Sequence, residues 1–210
     1  MNAIKPFLSR QVWAMVELQR LTGMRPGEVC MMRACDIDTT GRSWIYTPAS
    51  HKTEHHGRER RIYLGPQAQK ILRPWLRSHL TSHLFSPAEA MAERMVKMRA
   101  NRKSPVQPSQ LCRAKKRPEK TPGDVYTTDS YRRAITYGIK RANTARAKNQ
   151  EPEIPSWHPH QLRHNAATRL RKEFGLDVAR AVLGHSSPVV TEIYAEMDGA
   201  KAAAAMERIG

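Results

Sequence analysis

The residues best suited to chemistry fall in the last third of the chain. His160 and Arg163 stand three apart, on one face of any helix that carries them. His185 follows in Leu183-Gly184-His185-Ser186-Ser187, and Tyr194 lies nine residues beyond it. An arginine offers a planar fork of donors that matches phosphate oxygens. A histidine exchanges protons near neutral pH, and a tyrosine hydroxyl becomes a covalent nucleophile once its proton is removed. Together these are the parts for phosphoryl transfer to a tyrosine without a metal.

Two further positions, both earlier in the chain, extend this set. Arg25, in Arg25-Pro26-Gly27-Glu28, precedes a proline suited to the first position of a short helix, a place that favours an anion. Glu28 is three residues on, close enough to buttress it. Lys52 is the only lysine between Lys5 and Lys70 and lies in the polar connection of an expected hairpin, where it could act as a proton donor. The other histidines carry blander readings: His158 as loop, His164 as packing, and His51, His55 and His56 as exposed hairpin residues. Tyr46, Tyr63, Tyr126, Tyr131 and Tyr137 read as structural or surface aromatics.

The elements that must position these groups are mostly helical. A stripe of Val12, Met15, Val16 and Leu21 predicts a helix over 9–21, stopped by Gly23. A short helix from Pro26 carries Val29 and Met32 inward. Strands at 44–47 and 60–64 make a small antiparallel hairpin. A helix over 67–80 is expected to bend or split at Pro74. Residues 86–98 read as helix, and 127–149 as a long one with Tyr131, Ile135, Ile139 and Ala142 along one side. Helices over 160–172, 178–183 and 201–209 complete the chain. The fold class is mainly α with a small antiparallel β-sheet (α+β), in one domain spanning 1–210.

Composition narrows the partners. The 210 residues hold 36 Lys and Arg against 19 Asp and Glu, a net charge of +17 that points to a polyanion and is silent on fold. A hydrophobic content of 40% suffices for a core and tells against a wholly disordered tail. From Arg94 to Lys120 basic residues and prolines dominate, so 94–123 reads as a basic loop or insertion, with phosphate contacts as its functional reading. Three cysteines suit a reducing cytoplasm. A zinc site from Cys30, Cys35 and the His55-His56 pair lacks the tight C-x2-C spacing of structural sites, so no metal and no cofactor are expected. No apolar run approaches a membrane span of ~18 residues and the amino terminus lacks a signal-peptide pattern, so a soluble, intracellular protein is expected. With a polyanionic partner the expected location is cytoplasmic, associated with the nucleoid.

Four separated blocks, in order and with matching local spacing, resemble the tyrosine recombinases of the phage integrase family. They are Thr22-Gly23-Met24-Arg25-Pro26-Gly27-Glu28, the hairpin Lys52, His160-Gln161-Leu162-Arg163-His164, and Leu183-Gly184-His185-Ser186 followed by Tyr194. The resemblance implies a catalytic-domain fold and a site-specific DNA recombinase. Tyr194 would attack the scissile phosphate to give a 3′-phosphotyrosyl link, with Arg25 and Arg163 clamping the non-bridging oxygens and His185 adding a hydrogen bond. His160 would be the general base and Lys52 the general acid, with Glu28 in support, and neither metal nor ATP is needed. It also implies double-stranded DNA as partner, a homo-oligomer (tetramer) on DNA with a monomer possible off it, and a helix at 198–210 exchanged between protomers. The family's amino-terminal DNA-binding (core-binding) domain is absent from these residues. The alternatives are a type IB topoisomerase-like relaxing enzyme and a DNA-binding module of the same fold that does no chemistry.

Overall fold

The computed structural model describes residues 1–50, 60–76, 79–108 and 121–184. Lys52, His185 and Tyr194, the expected helix over 201–209 and the exchange helix at 198–210 lie outside them. So do Cys112 and the His55-His56 pair, and with them the zinc arrangement considered above.

Helix α1 (Arg10–Thr22) starts at Ser9, whose hydroxyl accepts from the Val12 amide, and ends at Gly23 in the left-handed region at φ 67°. That is the ordinary residue for such a stop. Val12, Met15 and Val16 are buried as their spacing predicts, while Leu21 is only partly buried and Leu18, outside the expected stripe, is fully buried. Helix α2 (Pro26–Cys30) follows after a short loop, and Val29 and Met32 are fully buried. A single stretch of 3₁₀ helix at Asn2–Phe7 precedes α1. The apolar pattern does not announce it, because Pro6 interrupts so short a segment.

The sheet has three strands, one more than the expected hairpin. Strand β1 (Ile37–Asp38) pairs antiparallel with β2 (Trp44–Tyr46), which pairs antiparallel with β3 (Ile62–Leu64). The strands expected at 44–47 and 60–64 are thus shorter, and Arg60 and Arg61 precede the ladder. The inward and outward alternation nevertheless runs back through them: Arg60, Ile62 and Leu64 are buried while Arg61 and Tyr63 are exposed.

Helix α3 (Pro66–Leu72) gives way to a 3₁₀ turn at Arg73–Trp75, so the helix expected over 67–80 ends early. Pro74 lacks an amide hydrogen and its ring excludes the preceding turn, which accounts for the break. Helix α4 (Pro87–Ala100) buries none of its residues. It takes up the start of the basic section, so the irregular part begins only at Asn101. Two polar contacts tie α4 to α1: Gln11 Nε2 donates to Glu89 Oε2 at 3.3 Å, and Arg10 faces Glu93 at 3.5 Å.

Helix α5 (Thr128–Lys148) buries Tyr131, Ile135, Ile139 and Ala142, and Gly138 within it meets Leu8 where a side chain would stand. Helix α6 (Pro159–Phe174) lies against α1 and against α7 (Leu176–Leu183), which begins two residues before the expected position and ends at Gly184 with φ 65°. The core therefore sits between α1, α3, α5 and α6, with the sheet closing one end. No helix among the described residues is long and apolar enough to cross a membrane.

Candidate active site

The loop carrying Arg25 is held from three sides before Arg25 itself makes any contact. The Gly23 amide donates to the Gln19 carbonyl at 2.9 Å, and the Met24 amide to Thr22 Oγ1 at 3.3 Å. Buried Gln19 then donates from Nε2 to the Met24 carbonyl at 3.1 Å and accepts from the Tyr131 hydroxyl at 3.1 Å. A buried polar network with its partners in place fixes one geometry. Arg25 thus enters α2 on a rigid support that runs across to α5.

Arg25 is the residue capping α2. Its amide donates to Glu28 Oε2 at 2.6 Å and its Nη1 to Glu28 Oε1 at 2.9 Å. Glu28 has a second cationic partner that the motif does not disclose: Arg60 Nε donates to the same Oε1 at 3.3 Å. The side chains of Glu28 and Arg60 are 3% and 4% exposed, and that of Arg25 is 20% exposed. Burial alone pushes the Glu28 carboxyl up, but the Arg60 charge, the Arg25 amide and the Arg25 guanidinium outweigh it and hold the group below its ordinary 4.5. Burial holds Arg60 below its ordinary range in turn, against the pull of Glu28. A guanidinium remains charged throughout the neutral range, so the three side chains carry one net positive charge.

Arg163 projects from the buried side of α6. Its Nη1 donates to the Gly23 carbonyl at 2.6 Å and its Nη2 to the Leu183 carbonyl at 2.8 Å. Both acceptors are at helix C-termini, where the outward carbonyls favour a cation. Arg163 therefore joins the end of α1 to the end of α7. Arg60 adds a neighbouring link, Nη1 to the Val182 carbonyl at 3.0 Å.

His160 stands one turn before Arg163 on a neighbouring surface of α6, but is exposed where Arg163 is buried. Its imidazole is held below 6.5, first by burial and then by the neighbouring His164, His158, Arg163 and Arg25. At neutral pH it is accordingly an uncharged ring able to take up a proton. His164 is lowered in the same way, by burial, His158 and Arg163. His158 opens α6, its amide donating to Gln161 Oε1 at 2.8 Å.

Arg25, Glu28 and Arg163 thus meet around the end of α1, with His160 close enough to feel the charge of both arginines. Residues 60 and 184, which border the segments bearing Lys52 and His185, meet there too: a Cβ on Gly184 would stand 2.6 Å from Arg60 Nη1. Sequence reasoning passed over Arg60. Its signal was the period-2 pattern, since counting back from Leu64 and Ile62 turns residue 60 inward. Among the described residues no group of three or more His, Cys, Asp or Glu could hold a metal ion.

Residues 1–200 match the model of the phage integrase family. The chain belongs to that family. Nothing among curated proteins matches it. Solved structures agree on the fold, which is that of tyrosine recombinase catalytic domains. The XerH site-specific recombinase bound to difH substrate is 18% identical with a TM-score of 0.55, over 98% of this chain and 50% of that one. The Tn1549 transposon integrase in complex with a circular intermediate DNA is 19% identical with a TM-score of 0.58, over 94% and 58%. A lambda integrase dimer bound to a COC′ core site is 18% identical with a TM-score of 0.51, over 89% and 42%. This chain spans about half the length of these structures.

Proposed function

We propose that the chain is the catalytic part of a site-specific DNA recombinase that cuts and rejoins strands through a 3′-phosphotyrosyl intermediate. What supports this reading is Arg163 bonded to the Gly23 carbonyl two residues before Arg25, with His160 one turn away on the same helix, in a chain whose family match spans residues 1–200. Two guanidinium groups and a neutral imidazole in one place supply charge stabilisation and proton uptake together.

In this reading the Tyr194 hydroxyl attacks the scissile phosphorus. The bond between Tyr194 Oη and phosphorus forms as the bond to the 5′ oxygen breaks. His160 takes the phenolic proton, and Lys52 delivers one to the departing 5′ oxygen. Arg25 and Arg163 hold the non-bridging oxygens, where charge accumulates in the transition state, and His185 adds a hydrogen bond there. Glu28 orients Arg25 from behind. The phosphotyrosine keeps the energy of the broken bond, so rejoining by the reverse attack requires neither ATP nor a metal. The partner is double-stranded DNA, on which the protein works as a homo-oligomer, a tetramer, at the nucleoid.

The test is covalent trapping on a nicked duplex that carries a site selected by the wild-type chain from random-sequence DNA. Wild type is expected to leave a protein–DNA adduct stable to denaturant, and Tyr194→Phe to bind the duplex with unchanged affinity and leave none. An adduct formed by the phenylalanine variant would show that another residue is the nucleophile. Light scattering on the same duplex is expected to show more than one protomer per site, and a lone protomer would remove the oligomer.

A further inference from the structure

Arg60 belongs to none of the matching sequence blocks, yet it links two separate parts of the site. It reaches Glu28 through Nε at 3.3 Å and the Val182 carbonyl through Nη1 at 3.0 Å, while Nη2 is buried with no hydrogen-bond acceptor among the described residues. It enters the fold at the end of the hairpin segment that holds Lys52, and it lies against Gly184, immediately before His185. Three parts of the site, from regions far apart in sequence, therefore share one guanidinium.

The arrangement of charge gives this contact a purpose beyond packing. Arg25 Nη1 and Arg60 Nε both approach Glu28 Oε1, at 2.9 and 3.3 Å. Glu28 and Arg60 are buried while Arg25 is partly exposed. With Arg60 in place, the carboxylate is neutralised from the interior side, and the surplus positive charge is carried by the arginine that faces outward. Were Arg60 uncharged, Glu28 would be left to cancel Arg25, and an approaching phosphate would meet a neutral pair. Attraction between charges in a partly dry site is far stronger than in water, so the loss would be felt where phosphate charge develops.

We infer that Arg60 is a positioning residue of the strand-cleavage reaction, which neutralises Glu28 so that Arg25 can present its charge to the scissile phosphate, and which registers the end of α7 through Val182. The inference rests on the function proposed above. Arg60 does not touch the DNA in this role. It acts through Glu28.

The experiment measures single-turnover adduct formation on the selected nicked duplex, with the affinity for that duplex and the thermal midpoint recorded for each variant. Arg60→Met is expected to bind DNA within about threefold of wild type but to cleave on the order of 10²-fold more slowly, the size of effect seen when a transition-state donor is lost. Arg60→Lys, which keeps the charge, is expected to stay within about tenfold of the wild-type rate. The double variant Arg60→Met with Glu28→Gln removes the carboxylate that Arg60 had neutralised and is expected to cleave faster than Arg60→Met alone, the kind of non-additivity that marks residues acting as a unit. A purely structural Arg60 predicts the opposite order, with the double variant no faster than the single.

A wild-type rate in folded Arg60→Met overturns the inference, as does a double variant no faster than the single one. If Arg60→Met does not fold, Arg60→Lys decides: a folded lysine variant slowed as much as on the order of 10²-fold overturns a role based on charge. Absence of any adduct from wild type removes the recombinase reading and this inference with it. Adduct formation by wild type with unchanged Arg60 variants removes the inference alone.

Discussion

Glu28 is where the chemistry of single residues is most exposed to test, because one carboxylate answers two guanidinium groups. Its folded-state pKa lies below the ordinary 4.5. A depressed acid pKa contributes stability that is fully present above the unfolded value and is lost as pH falls through the folded one. Glu28→Gln leaves Arg60 buried without its counter-charge, and breaking such a pair costs about 3 kcal/mol or more at neutral pH. Urea unfolding of wild type and Glu28→Gln is therefore expected to show a wide gap at pH 7 that narrows below about pH 4.5. A gap that stays constant down to about pH 3 would mean that the carboxylate is not the charged partner of Arg60 in the folded protein.

Helix termini, more than helix faces, set the relations between elements. Gly23 ends α1 at φ 67°, and a Cβ there would come 2.6 Å from Leu183 Cδ2 and 3.2 Å from Ala166 Cβ. The glycine thus serves both a left-handed turn and the close approach of α1, α6 and α7. Gly23→Ala is expected to destabilise the fold by about 1–3 kcal/mol and to slow adduct formation, since Arg163 binds the Gly23 carbonyl. Denaturant unfolding checks the first and trapping the second, and an alanine variant as stable as wild type would show that Leu183 yields without cost.

The same scale shows what sequence could and could not disclose. Helices α1, α2 and α5 were readable because their signals are local: Ser9 before the first turn, Pro26 at the start, and Tyr131, Ile135, Ile139 and Ala142 at helical spacing. Strand β1 has two residues, too few for alternation to register. The early end of α3 follows from Pro74, and the helix does not resume beyond it as far as the apolar pattern suggests. Arg25, Glu28, His160 and Arg163 stood out by motif. Arg60 did not: the period-2 pattern turns it inward, but its partners Glu28 and Val182 lie 32 and 122 positions away. In the chain it is one of several arginines near the hairpin.

At the scale of the molecule the excess of cations bears on how strongly the proposed DNA partner would be held. A net charge of +17 would give the proposed association with DNA a large component from counterion release. Affinity for duplex DNA is expected to fall linearly with the logarithm of salt concentration, by about 0.9 per phosphate neutralised. Measured by fluorescence anisotropy, a slope shallower than about −2 would mean that fewer than three phosphates are engaged and that most of the basic surface is idle.

Arg163 spends two of its nitrogens on the backbone, one at the end of α1 and one at the end of α7. A relative of this chain that performs no cleavage would still need that arginine to keep these two helix ends together. Finding it in a related sequence therefore says little about whether that relative still works on DNA.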